Sequence, residues 1–443
     1  MTSASRNSYV DQSIKPASRR VIVASTVGNI FECFDLYIYG AMAGVIAKLF
    51  FPTGNETASL LLFFGTFGIS FFMRPLGAIY LGNLGDKIGR RAVMSLTLII
   101  MTVGMLIVAL MPTYQTIGIA APIGIVIGRM LQGFSAGGEF GNSTALLAEQ
   151  NPSRRGFIAS WQTSTQGFAM MLAALFAVGL SVFLDSRQLE SWGWRVPFIV
   201  GALAGPVGIY IRRCTEESAE FQNATHVKQP MLDLLKTQKL ALMASSLLIV
   251  LATVAIWLAV FMPAYSVSQF RLDPALAFMG TAVTGATIFL LSPIIGFVSD
   301  LYGRMPSMLL AIFANTVVAV PLFALLSSHP SILSLIAVQF GIGIIVAFYF
   351  APLPALMSEL FPPQTRTSGL SLSYSLGVTI FGGFAPFIVT GLRSVTGDPL
   401  SPSYYLIFGG VLSGLGLFLA HQYKLARTTR NDLIGTHALE EVT

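Results

Sequence analysis

Gly82-Asn-Leu-Gly-Asp86-Lys-Ile-Gly89-Arg90-Arg91 returns later in the chain as Gly296-Phe-Val-Ser-Asp300-Leu-Tyr-Gly303-Arg304, and this pair of loops decides the fold. Each follows a long apolar run. A second loop is echoed too: Glu149-x-x-Pro152-x-Arg154-Arg155-Gly156 is matched by Glu359-x-x-Pro362, followed by Arg366 and Gly369. The first pair is offset by 214 residues (82 to 296) and the second by 210 (149 to 359). Two echoes at nearly one offset, each at an equivalent place, imply two halves of the same topology related by an axis along the membrane normal.

Composition sets the solvent. Of 443 residues 54% are hydrophobic and only 10% charged, with a mean hydropathy of +0.73. So little polar surface cannot cover a water-soluble globule, and apolar stretches of spanning length recur along the chain. They fall near 20–47, 56–82, 92–112, 117–148, 156–184, 194–213, 239–270, 275–299, 307–327, 331–358, 366–392 and 402–423. The expected fold is an all-α integral membrane protein of twelve transmembrane helices in a 6+6 pseudo-two-fold arrangement. Its parts are a tail 1–19, a six-helix bundle 20–213, a linker 214–238, a second bundle 239–423 and a tail 424–443.

An even number of spans puts both termini on one side. If that side is the cytoplasm, only Lys48, Arg187, Arg195, Arg271 and Arg393 of the 26 Lys and Arg lie outside, as the positive-inside rule requires. The same pattern explains the pI near 9.3 without nucleic acid. The two cysteines, Cys33 in a span and Cys214 at a helix end, offer no disulfide framework. No cleavable signal peptide is expected at the polar, Ser-rich N-terminus. The four histidines fall in loops or tails, and no nucleotide-binding loop, metal cluster or catalytic nucleophile stands out. An enzyme and ATP-driven transport are therefore not expected, and no cofactor is implied beyond protons as coupling ion.

The interior charges are unequally divided. Glu32, Asp35, Arg74, Arg129 and Glu139 lie in spans of the first half, and the second half has none. A charge at the bilayer centre costs about 2.5–3.5 kcal/mol on insertion scales, so such residues persist where they pair, line a wet cavity or carry a proton. Glu32 and Asp35 share a helix face with Tyr39, and Glu32 lies about 18 Å along its helix from Arg20, near mid-membrane. Three acids against two arginines leave one carboxyl without a full partner if all ionise. Glu32 or Asp35 is the first expected proton carrier. Glu139, amid glycines, is either a third or a structural partner for Arg74 or a loop cation. Arg129, with Gln132 on a neighbouring face, either grips a substrate carboxylate or holds Glu32 or Asp35. Arg74 either binds an anion or snorkels to the nearby membrane surface. Gln162 and Gln166, one turn apart, offer amides to a ligand. Trp257, Tyr265, Tyr349 and Tyr374 offer aromatic faces in the second half.

The repeated loops read in two ways. Asp86 and Asp300 can cap helix starts, or, with Arg90, Arg304, Glu149, Arg155, Glu359 and Arg366, they form a latch that holds the halves together in one state and releases in another.

With these motifs the chain resembles the major facilitator superfamily over nearly its whole length. Within it, Glu32-x-x-Asp35 followed by Tyr39-Gly40, Arg74-Pro75-x-Gly77, Gly128-Arg129-x-x-Gln132-Gly133, Gly137-Gly138-Glu139 and Trp192-x-Trp194-Arg195-x-Pro197-Phe198 resemble the metabolite:proton symporters. Thr113-Tyr114-Gln115-Thr116-Ile117-Gly118, Ser160-Trp161-Gln162 and Phe381-Gly382-Gly383 are similar to stretches of citrate and tricarballylate symporters. The resemblance implies a secondary active transporter that imports an organic anion, a di- or tricarboxylate such as citrate, with protons, by alternating access. Proton-coupling residues would be Glu32, Asp35 and Glu139; substrate contacts would be Arg129, Gln132, Arg74, Tyr39, Gln162 and Gln166. It implies a monomer in the bacterial inner membrane, with lipid and a small-molecule substrate as partners. The alternatives are proton symport of shikimate or of a zwitterionic osmolyte such as proline or betaine and, in another class, a membrane nutrient sensor.

Overall fold

The computed structural model describes residues 19–213, 217 and 227–440. The tail 1–18, Cys214 and most of the linker lie outside the described residues. What is described is helical, in twelve rods. They are α1 (Arg19–Ala41, continued by Ala43–Phe50), α2 (Glu56–Gly77, continued through Ala78–Gly82 to Asn83–Ile88), α3 (Arg90–Leu110), α4 (Ala120–Glu149), α5 (Arg155–Phe183) and α6 (Val196–Arg213). The second set is α7 (Lys239–Leu248 and Val250–Phe270), α8 (Pro274–Tyr302), α9 (Met305–Ser328), α10 (Ile332–Phe350 and Leu353–Leu360), α11 (Arg366–Gly377, Val378–Gly382 and Ala385–Thr396) and α12 (Ser401–Glu440). By length and hydropathy alone nine helices among the described residues qualify as spans, or ten if the two pieces of α1 count as one. α4 and α6 are not among them; in α4 Arg129 and Gln132 dilute the apolar sequence.

The rods sort by what their side chains meet. On α3, α9 and α12 the large apolar residues Ile99, Val103, Leu309, Leu310, Phe313, Val317, Val411, Leu415 and Phe418 are exposed. In water such belts would aggregate, whereas hydrocarbon solvates them. On α4 every residue from Ser135 to Glu149 is buried. Kinks have local causes. α1 bends by 70° between Ala41 and Ala43, between the side-chain-poor Gly40 and Gly44. α2 passes through a π-turn at Ala78–Gly82, just after Pro75, and α11 through one at Val378–Gly382.

Glycine decides which helices touch. A Cβ on Gly133 would strike the backbone at Ser70, and one on Gly137 would strike it at Arg74, so α4 lies directly on α2. Between the halves, α5 and α8 meet through Gly156, Gly167, Gly285 and Gly296, while α11 meets α2 and α4 through Gly82, Gly85 and Gly141. In the repeated loops Gly89 and Gly303 adopt φ values of 105° and 90°, which a side chain would strain. The described end of the linker, helix Pro230–Thr237, docks on this same face: the Met231 amide donates to Asn83 and Gln238 pairs with Thr365.

Candidate functional site

At the face formed by the repeated loops the halves are fastened in two matching places. Asp86 accepts hydrogen bonds from the Thr367 amide (3.1 Å), the Ser368 amide (2.8 Å) and the Ser368 hydroxyl (2.7 Å) at the start of α11. Asp300 accepts from the Gly156 and Phe157 amides at the start of α5, both at 2.8 Å. Each aspartate therefore caps a helix of the opposite half, where the amides and the helix dipole favour an anion. The cap reading of the motif is thus seen, with the capped helix start in the opposite half. Beside Asp86, Glu149 lies between Arg90 (3.1 Å) of its own half and Arg366 (2.9 Å) of the other. Beside Asp300, Arg304 bonds Asp300 (2.5 Å) and Glu359 (3.3 Å), and Glu359 also meets Lys424 (2.6 Å). The first cluster is fully buried; the second is partly wet. Arg155 donates to the Ala148 carbonyl within its own half.

Deeper in the first half lies a sealed triad. Arg129 donates to Asp35 (2.7 Å) and to the Gln132 side-chain carbonyl (2.6 Å), and Gln132 donates to the other oxygen of Asp35 (3.0 Å). Arg129 and Asp35 are 0% exposed. The Tyr39 ring lies 4.1 Å from the guanidinium carbon of Arg129, stacked on Phe63, with its hydroxyl on Thr66. The second half has a neutral counterpart. Gln339, 210 residues after Arg129, donates to the Ala259 carbonyl (3.0 Å) and to Thr281, and accepts from Thr284 (2.7 Å). Tyr349 stands where the repeat places Glu139, and donates to the Leu248 carbonyl. Gln339 thus ties α10 to α7 as Arg129 ties α4 to α1, without the charge, whereas Tyr349 reaches α7 and Glu139 reaches α3.

Between the halves is a cavity of about 20 Å³, room for about one water. Its first-half wall is Glu32, Cys33, Leu36, Tyr37, Arg74 and Gln166; its second-half wall is Ile249, Thr253, Ile256, Trp257, Phe350, Tyr374 and Val378. Arg74 lies 3.5 Å from Glu32, is 2% exposed and has an Nε without a hydrogen-bond partner. It does not snorkel. α2 lies directly on α4 at Gly133 and Gly137, and the Arg74 side chain lines the cavity, over the Phe71 ring. Trp257, packed against Tyr37, Phe67 and Phe71, closes the end away from the latch. Phe140 and Tyr374, stacked across the halves at 3.7 Å, close the end toward it.

Against the sequence expectations, the cavity brings together Glu32, Arg74 and Gln166. Arg129, Gln132 and Tyr39 are not in its lining, and neither is Gln162, which exchanges hydrogen bonds with Asn29; Arg129 donates through Nη1 alone, its Nε and Nη2 being buried without a partner. Glu139 is buried outside the lining and accepts from Thr97 (2.5 Å). Of the four second-half aromatics, Trp257 and Tyr374 line the cavity; Tyr265 is held by Arg393. Sequence reading missed Cys33, Tyr37 and Thr253. Cys33 and Tyr37, four apart, share a helix face with each other, but at one and five places beyond Glu32 they point well around the helix from it, so a wheel centred on Glu32 selects Leu36 and passes over both; Thr253 carried no signal.

A family model described as Major Facilitator Superfamily matches residues 26–386 and, overlapping, 247–431. A citrate-proton symporter of Klebsiella pneumoniae is 37% identical over 395 residues, covering 88% of this chain and 89% of that protein. A proline/betaine transporter of Salmonella typhimurium is 30% identical over 424 residues, 92% of this chain and 83% of that one. Among solved structures, a proton:xylose symporter superposes with a TM-score of 0.75 at 14% identity, over 91% of this chain and 95% of that one. That last likeness is one of fold.

Proposed function

This chain belongs to the major facilitator superfamily, and we propose that it imports an organic anion, a di- or tricarboxylate such as citrate, together with protons. The observation that carries the reading is the Arg74–Glu32 pair, 3.5 Å apart on the wall of the cavity between the halves. A guanidinium presents a planar fork suited to a carboxylate, and here an internal carboxylate competes for it. Protonating Glu32 removes the competitor, so proton and substrate binding favour one another, as linkage demands. Glu32 is the first proton carrier in this scheme. Asp35, held by Arg129 and Gln132, and Glu139 are the further carriers. Gln166 is a substrate contact, whereas Arg129, Gln132, Tyr39 and Gln162 act through the helices they tie.

Alternating access supplies the rest. The halves, taken as 20–213 and 239–423, rock about the cavity. Asp86, Arg90, Glu149, Arg155, Asp300, Arg304, Glu359 and Arg366 form the latch of the cytoplasmic face, and both termini lie on that side of the bacterial inner membrane. The protein works as a monomer in lipid, without cofactor or catalytic residue. Resemblance to citrate-proton symporters supports the substrate class. A second reading, a zwitterionic osmolyte, is favoured by the aromatic faces of Trp257 and Tyr374 opposite the same ion pair, and by the proline/betaine transporters among the relatives.

The test is uptake of labelled citrate into tight proteoliposomes, with and without an inward proton gradient, competed by tricarballylate, 2-oxoglutarate, shikimate, proline and betaine. Gradient-driven accumulation that is lost in Arg74→Lys, and reduced to exchange in Glu32→Gln, is expected. Transport of betaine or proline with silence toward citrate selects the second reading.

A further inference from the structure

Resting on the reading of the central cavity as the carboxylate site, we infer that the bound species carries a single ionised carboxylate, so that a polycarboxylic acid is held as its monoanion. The ground is the charge inventory of the cavity. Its walls hold one permanent cation, Arg74 on α2, and one carboxyl, Glu32 on α1. Cys33 and Tyr37 on α1, and Tyr374 on α11, are uncharged near neutrality; α5 adds the neutral Gln166, and α7 and α10 add nothing ionisable to the lining. The other arginine of this region, Arg129, is 0% exposed and outside the lining, its charge facing Asp35 at 2.7 Å. Glu139 on α4, engaged by Thr97, adds nothing positive.

A carboxylate taken out of water without a countercharge is strongly disfavoured. With Glu32 protonated, Arg74 and one substrate carboxylate balance to zero. A second and third ionised carboxylate would face Trp257, Ile256, Phe350 and Val378, which offer no cation. Protonated carboxyls meet that wall at lower cost, and Gln166, Thr253 and Tyr374 can exchange hydrogen bonds with them. The protons come from solvent, in a simple acid–base equilibrium of the free substrate.

The experiment counts protons. Binding of citrate, and of a citrate diester with one free carboxyl, is measured on the purified full-length protein by titration calorimetry over a pH series above the last ionisation of citrate, in two buffers of different ionisation enthalpy. Each proton taken up on binding weakens the apparent affinity about tenfold per pH unit. Citrate held as its monoanion takes up two protons more than the diester does, whichever carriers load with it; where Glu32 is the one carrier that loads on binding the total is three, and the citrate Kd rises about 1000-fold per unit. The diester takes up one, for a rise of about tenfold. Glu32→Gln lowers both slopes by one proton and preserves the about hundredfold difference between the ligands; if that variant fails to fold, the wild-type comparison decides alone. Equal slopes for the two ligands overturn the inference and leave the carboxylate site standing. Binding of neither ligand at any pH overturns the carboxylate reading itself.

Discussion

Removing one carboxylate from the latch should open the cavity toward that face. Asp300→Asn is the cleaner perturbation. Asp300 accepts two amide hydrogen bonds from α5 across the interface, at 2.8 Å each, while its bond to Arg304 stays within one half. A hydrogen bond to a charged acceptor contributes about 1.5–3 kcal/mol. Asparagine keeps one acceptor oxygen and loses the charge, so the latched state should lose about 2–4 kcal/mol relative to the unlatched one, a shift of about 30- to 1000-fold. The protein carries its own reporter: Cys33 lines the cavity and is 6% exposed. With Cys214→Ser to silence the other thiol, the rate at which a membrane-impermeant maleimide labels Cys33 from the latch face tracks the unlatched population. That rate should rise by the same factor until the unlatched state dominates. Asp86→Asn should raise it further, because Asp86 accepts three such bonds in a drier cluster. Wild-type labelling rates in both variants, with Cys33 shown to be reactive after denaturation, would refute the assignment of these caps as the latch.

Three further outcomes are expected. Asp35→Asn strands the buried Arg129, at a cost of about 3–5 kcal/mol; thermal unfolding in detergent should show the loss, and Asp35→Asn with Arg129→Gln should recover much of it, whereas a single variant as stable as its parent would mean the triad is not a structural tie. Gly167→Ala places a methyl 2.6 Å from the Phe289 amide nitrogen, and Gly179→Ala places one in open space, so the first should cripple exchange of labelled substrate while the second leaves it unchanged. Phe140→Leu keeps much of the buried apolar area and removes the stacked aromatic pair between the halves, a pair worth about 0.5–1.5 kcal/mol beyond its area burial, so Cys33 labelling from the latch face should rise by about two- to tenfold.

The interior charges of the first half were legible as a set because burying a charge in hydrocarbon is costly wherever it falls in the sequence. Their partners were not. Asp35 and Glu32 stand one helical turn apart on the same face, yet one is sealed with Arg129 and the other opens on Arg74. Periodicity fixes the face of a helix and not what packs on it. The glycines made close packing expected, but only the burial of Arg74 and its approach to Glu32 in the folded chain exclude the snorkelling alternative.

The sequence by itself determined the class, the twelve rods, the division into halves and the location of the ionic chemistry in the first of them. Each of these follows from local quantities: hydropathy over a span, repetition at an offset, the cost of a charge. The tertiary structure alone decided that the repeated aspartates cap helices of the opposite half, that Arg129 is withheld from the cavity and that Arg74 and Glu32 share it. Those facts depend on contacts between residues as far apart as Asp86 and Ser368, or Gly156 and Asp300, and on distances of a few ångströms that no sequence spacing encodes.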